Sequence, residues 1–123
     1  MTKSMLIAGV LLLAIGGQAS AKEIAETMAK PVRAVLQSNQ QPADLELCLA
    51  DAITEIGGAV PVPVRNGRDN VVMLGYGHTP KLVVKLDVVP EGTHIEVYTK
   101  AGDVDGKFVR AILAACPSMK KKE

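Results

Sequence analysis

Aromatic residues are almost missing from this sequence, which carries one Phe, two Tyr and no Trp. Surfaces that stack bases or sugar rings need several exposed ring faces, so nucleic-acid binding by stacking is excluded as a reading. Charge of one sign is missing too, with 14 Lys and Arg against 13 Asp and Glu. A balanced chain has no built-in long-range attraction for phosphate backbones or anionic lipid. Histidines number only two, and the two cysteines form no CxxC or Cys/His ligand spacing. Neither a thiol redox motif nor a structural zinc site is written here. At 123 residues the chain is one domain on length, too short for a two-domain cleft or a doubly wound cofactor fold.

Of the features present, the first is export. Residues 1–21 have the three parts of a secretory signal: Lys3, an apolar run from Met5 to Ile15, and small residues at Ala19 and Ala21. Cleavage is expected between Ala21 and Lys22. The apolar run is far below the ~20 residues of a spanning helix, so no stable membrane anchor is expected after cleavage. The composition leans to the periplasm over the extracellular medium. In an exported chain two cysteines point to one structural disulfide, Cys48 to Cys116. A redox pair and two separate buried thiols are the alternatives. The loop such a bridge closes corresponds to roughly 4 kcal/mol in the chain-entropy model, a large share of the ~5–15 kcal/mol that stabilises a domain.

Residues 22–42 read as a kinked or mobile helical lead-in and linker. Ile24, Met28, Val32 and Val35/Leu36 recur at helical spacing, Pro31 interrupts them, and Ser38 to Pro42 has linker composition. The domain proper is expected at 43–117. Leu45, Cys48/Leu49, Ala52/Ile53 and Ile56 form one stripe of a helix that stops at Gly57 and Gly58.

From Val60 to Thr99 the composition turns to Val. Val60, Val62 and Val64 alternate with Pro61 and Pro63, which suits a sheet edge. Val71–Tyr76 reads as a buried strand, and Leu82 to Val88 alternates cleanly. In the last strand Ile95, Val97 and Thr99 point inward. Pairing Val88 with Thr93 sets Asp87 against His94 and Lys85 against Glu96, whereas a shift by two would oppose Asp87 and Glu96. Phe108, Val109, Ile112, Leu113 and Cys116 then follow helical spacing up to Pro117. The expected fold is α+β, an antiparallel sheet of about four strands with an N-terminal-side and a C-terminal helix packed on one face. Residues 118–123 read as a solvated basic tail.

Few residues suggest chemistry. His94 is explained as a surface residue facing Asp87. His78 sits in a Gly-flanked loop beside Tyr76 and Thr79, and Tyr76 and His78 are the candidate ligand-site residues. Asp103 and Asp105 partly resemble a calcium loop, but its remaining ligands and closing Glu are missing, and acidic residues before a helix start account for them. No GxSxG elbow or phosphate loop is present. No catalytic residue, metal or cofactor is assigned. The reading that remains is a small exported non-catalytic module that binds an unidentified protein or small-molecule partner, with strand addition at the Val60–Val64 edge as one mechanism. The alternative is a small hydrolase or metal-dependent enzyme around His78.

The bridge has a direct check. The exported protein is expected to weigh two hydrogens less than its dithiol form and to resist thiol labelling; labelling of both Cys48 and Cys116 under oxidising conditions would contradict it.

Overall fold

The computed structural model describes residues 21–57, 61–66, 70–76, 80–100 and 106–122. The helices in this part are α1 (Ala21–Met28), α2 (Pro42–Gly57) and α3 (Lys107–Ala115). The strands are β1 (Ala34–Ser38), β2 (Val62–Asn66), β3 (Asn70–Tyr76), β4 (Pro80–Val89), β5 (Gly92–Thr99) and β6 (Lys120–Lys121). All pairings are antiparallel, and the strands lie in the order β2-β3-β4-β5-β1-β6.

The α+β class is as expected, with two strands added to the four read from sequence. The four-strand meander keeps the register argued from charge: Val88 faces Thr93, Asp87 faces His94, Lys85 faces Glu96 and Val84 faces Val97. β2, interrupted by Pro63, is an edge, where a missing backbone N–H costs no ladder bond.

Alternation places Leu82, Val84, Leu86, Ile95 and Val97 on one face, all buried under α2 and α3. Helix α2 contributes Leu45, Leu49, Ala52 and Ile53 to this core, spaced so that they share one side of the helix. Helix α3 adds Val109 and Ile112, and its end adds Cys116. Cys48 and Cys116 are bonded, with Cα atoms 5.3 Å apart, so the two helices are stapled above the sheet. α1 packs on β4 and β5, the strands whose second face carries Val83, fully buried although it points away from this core.

Two segments differ from the sequence reading. Within residues 22–41 only the first third is helical: α1 ends at Met28, ahead of Pro31, and Ala34–Ser38 is a strand paired with β5. Val32, Val35 and Leu36 fit a helical spacing, but Leu36 and Ser38 are buried while Gln37 between them is exposed, the period of a strand. Pro42 begins α2 and is no part of a linker. Residues 118–122 of the basic tail also pack on the domain. After α3, Met119 is buried in the core, and Lys120 and Lys121 pair with Gln37 and Leu36 of β1. Burying that methionine anchors the segment against the sheet. Residues 1–20 of the expected signal and the calcium-like pair Asp103 and Asp105 lie outside the described residues. So do Gly58 and Val60.

The β4–β5 hairpin turns on Pro90 and Glu91, since Val89 pairs with Gly92. Gly92 has φ +139°, and a Cβ there would strike the Ser38 carbonyl oxygen and lie 2.8 Å from the Asn39 Cα. The close approach fixes the end of β1 against the hairpin, which only glycine permits. Gly92→Ala is therefore expected to lower stability by roughly 1–3 kcal/mol. A denaturant midpoint unchanged from the parent would contradict this packing.

Candidate functional site

The face of the sheet opposite the α2–α3 core carries its polar residues in register. One row across β6, β1, β5 and β4 is Lys120, Gln37, His94 and Asp87. In the next row the Lys122 amide bonds the Val35 carbonyl oxygen at 2.9 Å, and Val35 is followed by Glu96 and Lys85. Cross-strand neighbours are as expected, yet the nearest charged contacts run along each strand. His94 Nε2 lies 3.2 Å from Glu96 Oε2, and Lys85 Nζ lies 3.8 Å from Asp87. His94 is thus held by Glu96 rather than by Asp87, because side chains two apart on a twisted strand lean onto the same patch.

These contacts form a chain. Lys122 Nζ reaches His94 Nδ1 at 3.5 Å, and the Tyr98 hydroxyl donates to Glu96 Oε1 at 2.7 Å. An ammonium can only donate, so Nδ1 accepts and the Nε2 hydrogen goes to Glu96. The Tyr98 hydrogen bond, foremost, and the nearby His94 and Lys85 hold the Glu96 carboxyl below its ordinary value of 4.5, against an opposing effect of burial. Burial, then the hydrogen bond to Glu96 and its charge, push the Tyr98 hydroxyl up to about 12.

At the edge of this face a cleft of about 550 Å³ opens between the β4–β5 hairpin, the end of β1 and the C-terminal segment. Its lining includes Gln37, Asn39, Glu91, Thr93, His94, Ser118, Lys120 and Lys122. One wall is fixed by a closed hydrogen-bond ring. The Gln40 amide donates to Ser38 Oγ at 3.1 Å, and Ser118 Oγ donates to Gln40 Oε1 at 2.8 Å. Ser38 and Ser118 hydroxyls are 2.7 Å apart, and Ser38 must be the donor because the Ser118 hydrogen is already used. Thr93 adds a bond to the Gln40 carbonyl at 2.6 Å.

Of the residues singled out from sequence, Cys48 and Cys116 are brought together, and they brace the opposite layer. His78 and the side chain of Tyr76 lie outside the described residues. Ala21 and Lys22 open α1. The cleft residues were missed because they come from three distant segments. The available signal was Met119, an apolar residue in an otherwise basic tail. Among the described residues no three His, Cys, Asp or Glu side chains are grouped to hold a metal ion, and no helix is long and apolar enough to cross a membrane. No family model, curated protein or solved structure matches the chain.

Both shifted groups give a checkable pH dependence. A depressed carboxyl stabilises the fold above 4.5 and loses that contribution as pH falls through its lower folded value. A raised phenol stabilises below 10 and loses it as pH rises toward about 12. Tyr98→Phe is expected to move the Glu96 titration, followed by carboxyl NMR, up toward 4.5 and to remove the ultraviolet tyrosinate step near 12. An unmoved Glu96 titration would show that the hydroxyl does not hold the carboxylate.

Proposed function

We propose that this chain is a small exported, non-catalytic binding module, with the periplasm as its compartment, and that its ligand site is the cleft beside β6. The observation that carries the proposal is the cleft itself: a recess of about 550 Å³ lined mostly by polar residues, one wall of which is a closed hydrogen-bond ring. A recess of that size suits a small molecule, and a fixed wall limits the ordering cost of binding.

The Cys48–Cys116 bond supports export, since such bonds persist in oxidising compartments. A binding role, as opposed to a catalytic one, is supported by His94. Its two ring nitrogens are engaged by Glu96 and Lys122, so neither stands ready to take a proton from a substrate. Strand addition is the weaker mechanism. Pro63 removes a donor from the β2 edge, and the opposite edge is a two-residue strand of lysines.

The test uses the disulfide-intact mature chain, observed by amide NMR while a low-molecular-weight periplasmic extract is titrated in. The expected result is shifts confined to Gln37–Asn39, Thr93–His94 and Ser118–Lys122. Shifts elsewhere, or none, would overturn the assignment of the site.

A further inference from the structure

The two cleft lysines carry the argument one step beyond the site's location. A run of three lysines in a frayed tail would spread its charges in solvent. As a strand segment it does not, because alternate residues project to one face. Lys120 and Lys122 therefore stand on the cleft side, their Cα atoms about 7 Å apart along the strand, while Lys121 is opposite Leu36 in the intervening position.

Neither cleft lysine has an ion-pair partner among the described residues. Among the described residues, ion pairs include Arg65 with Glu46 and Lys85 with Asp87, and Glu96 is taken up by the His94 Nε2 hydrogen and the Tyr98 hydroxyl. Among the described residues, the Lys122 ammonium contacts only the Nδ1 edge of His94, and the Lys120 ammonium has no hydrogen-bond or ion-pair partner. The Gln37 side chain, in the row between Lys120 and His94, supplies a neutral amide beside them. The one acidic residue of the lining, Glu91, lies on the hairpin turn and makes no ion pair with either lysine. Among the described residues the lining holds no Phe, Tyr or Trp, and most of its side chains offer charge or hydrogen bonds for recognition.

We infer that the cleft takes a small organic anion whose carboxylate or phosphate group sits between the ammonium groups of Lys120 and Lys122. An oxyanion accepting a charge-assisted bond of about 2.8 Å from each would bridge two lysines at this spacing. The remaining volume accommodates the organic part against Gln37, Asn39 and Ser118. His94 acts as a positioning residue: its Nδ1 lone pair holds Lys122 over the cleft, and Glu96 holds the ring. The inference rests on the cleft being the ligand site and names the chemistry that the site selects.

Glycerol 3-phosphate and succinate distinguish the two anionic groups, and glycerol is the uncharged control, each titrated into the mature protein by amide NMR. The expected result is that at least one anion shifts the Gln37, His94 and Ser118 amides, that added salt weakens it, and that glycerol does not reproduce it. The anion that binds more tightly identifies the group. Lys120→Gln and Lys122→Gln should each weaken that binding about fivefold, the factor of one unit charge at 4 Å in water. Lys120→Arg with Lys122→Arg should retain it, which separates lost charge from lost fold. Binding unaffected by both Gln variants, an equal effect of glycerol, or no shift with either anion would overturn the inference. If the periplasmic extract still shifts the cleft equally in parent and Gln variants, the anion reading alone fails; if it shifts nothing in the parent, the site itself fails.

Discussion

The bond between Cys48 and Cys116 is the constraint on which the rest of the architecture leans. The core is Leu, Ile, Val, Ala and Met, with the single Phe only partly buried at its margin. Such a core lacks the large buried area that aromatic side chains bring, and a chain of this size has little apolar surface in reserve. Stapling α2 to α3 makes one rigid layer of two short helices. That layer seals Leu82, Val84, Leu86, Ile95 and Val97 from water. It also sets where α3 ends, and so where the chain emerges at Pro117 to begin its last segment.

From that point the topology follows. The segment after α3 drops Met119 into the core and lays β6 along β1, which already lies against β5. β1 and the C-terminal segment thus meet at one margin of the sheet, with the β4–β5 hairpin beside them. Gly92 lets the hairpin approach the Ser38–Asn39 backbone closely, and the Ser38, Gln40 and Ser118 ring ties the same three segments by hydrogen bonds. A recess bounded by three segments far apart in sequence requires each of them to be held. The bridge holds one, the glycine contact the second and the hydroxyl ring the third.

How much of this was legible depends on whether the signal was local. The β4–β5 register was readable because charges alternate on both strands and a short turn joins them, so a shift by two meets a like-charge penalty. α2 and α3 were readable from their stripes and from Pro117. β1 was not, since Val32, Val35 and Leu36 satisfy helical and extended spacings equally over so few residues, and only pairing with β5 decides between them. β6 is two residues long, too short for any periodicity to register. The cleft was illegible for the same reason: Gln37, His94 and Lys120 share a row only because of strand pairings that span most of the chain. The cysteine pairing was readable because two cysteines leave a single possible bridge, which geometry then only has to permit.

Lysines at a sheet margin have a plainer use, which is to keep edges from pairing with another chain. That use accounts for a charged, very short β6 and fits the proline in β2 at the far edge, so both margins of this sheet resist strand addition. It does not account for the side chains facing the cleft. Blunting an edge requires charge near the backbone and is indifferent to which face the side chains take, and Lys121 satisfies it as well as its neighbours. Holding Lys122 against His94, and His94 against Glu96 and Tyr98, orders a long side chain at an entropic cost of up to ~2 kcal/mol for a contact of 3.5 Å. A solvated gatekeeper gains nothing from that ordering. A cation that must meet an anion at a fixed place does, because the ordering is then complete before the ligand arrives.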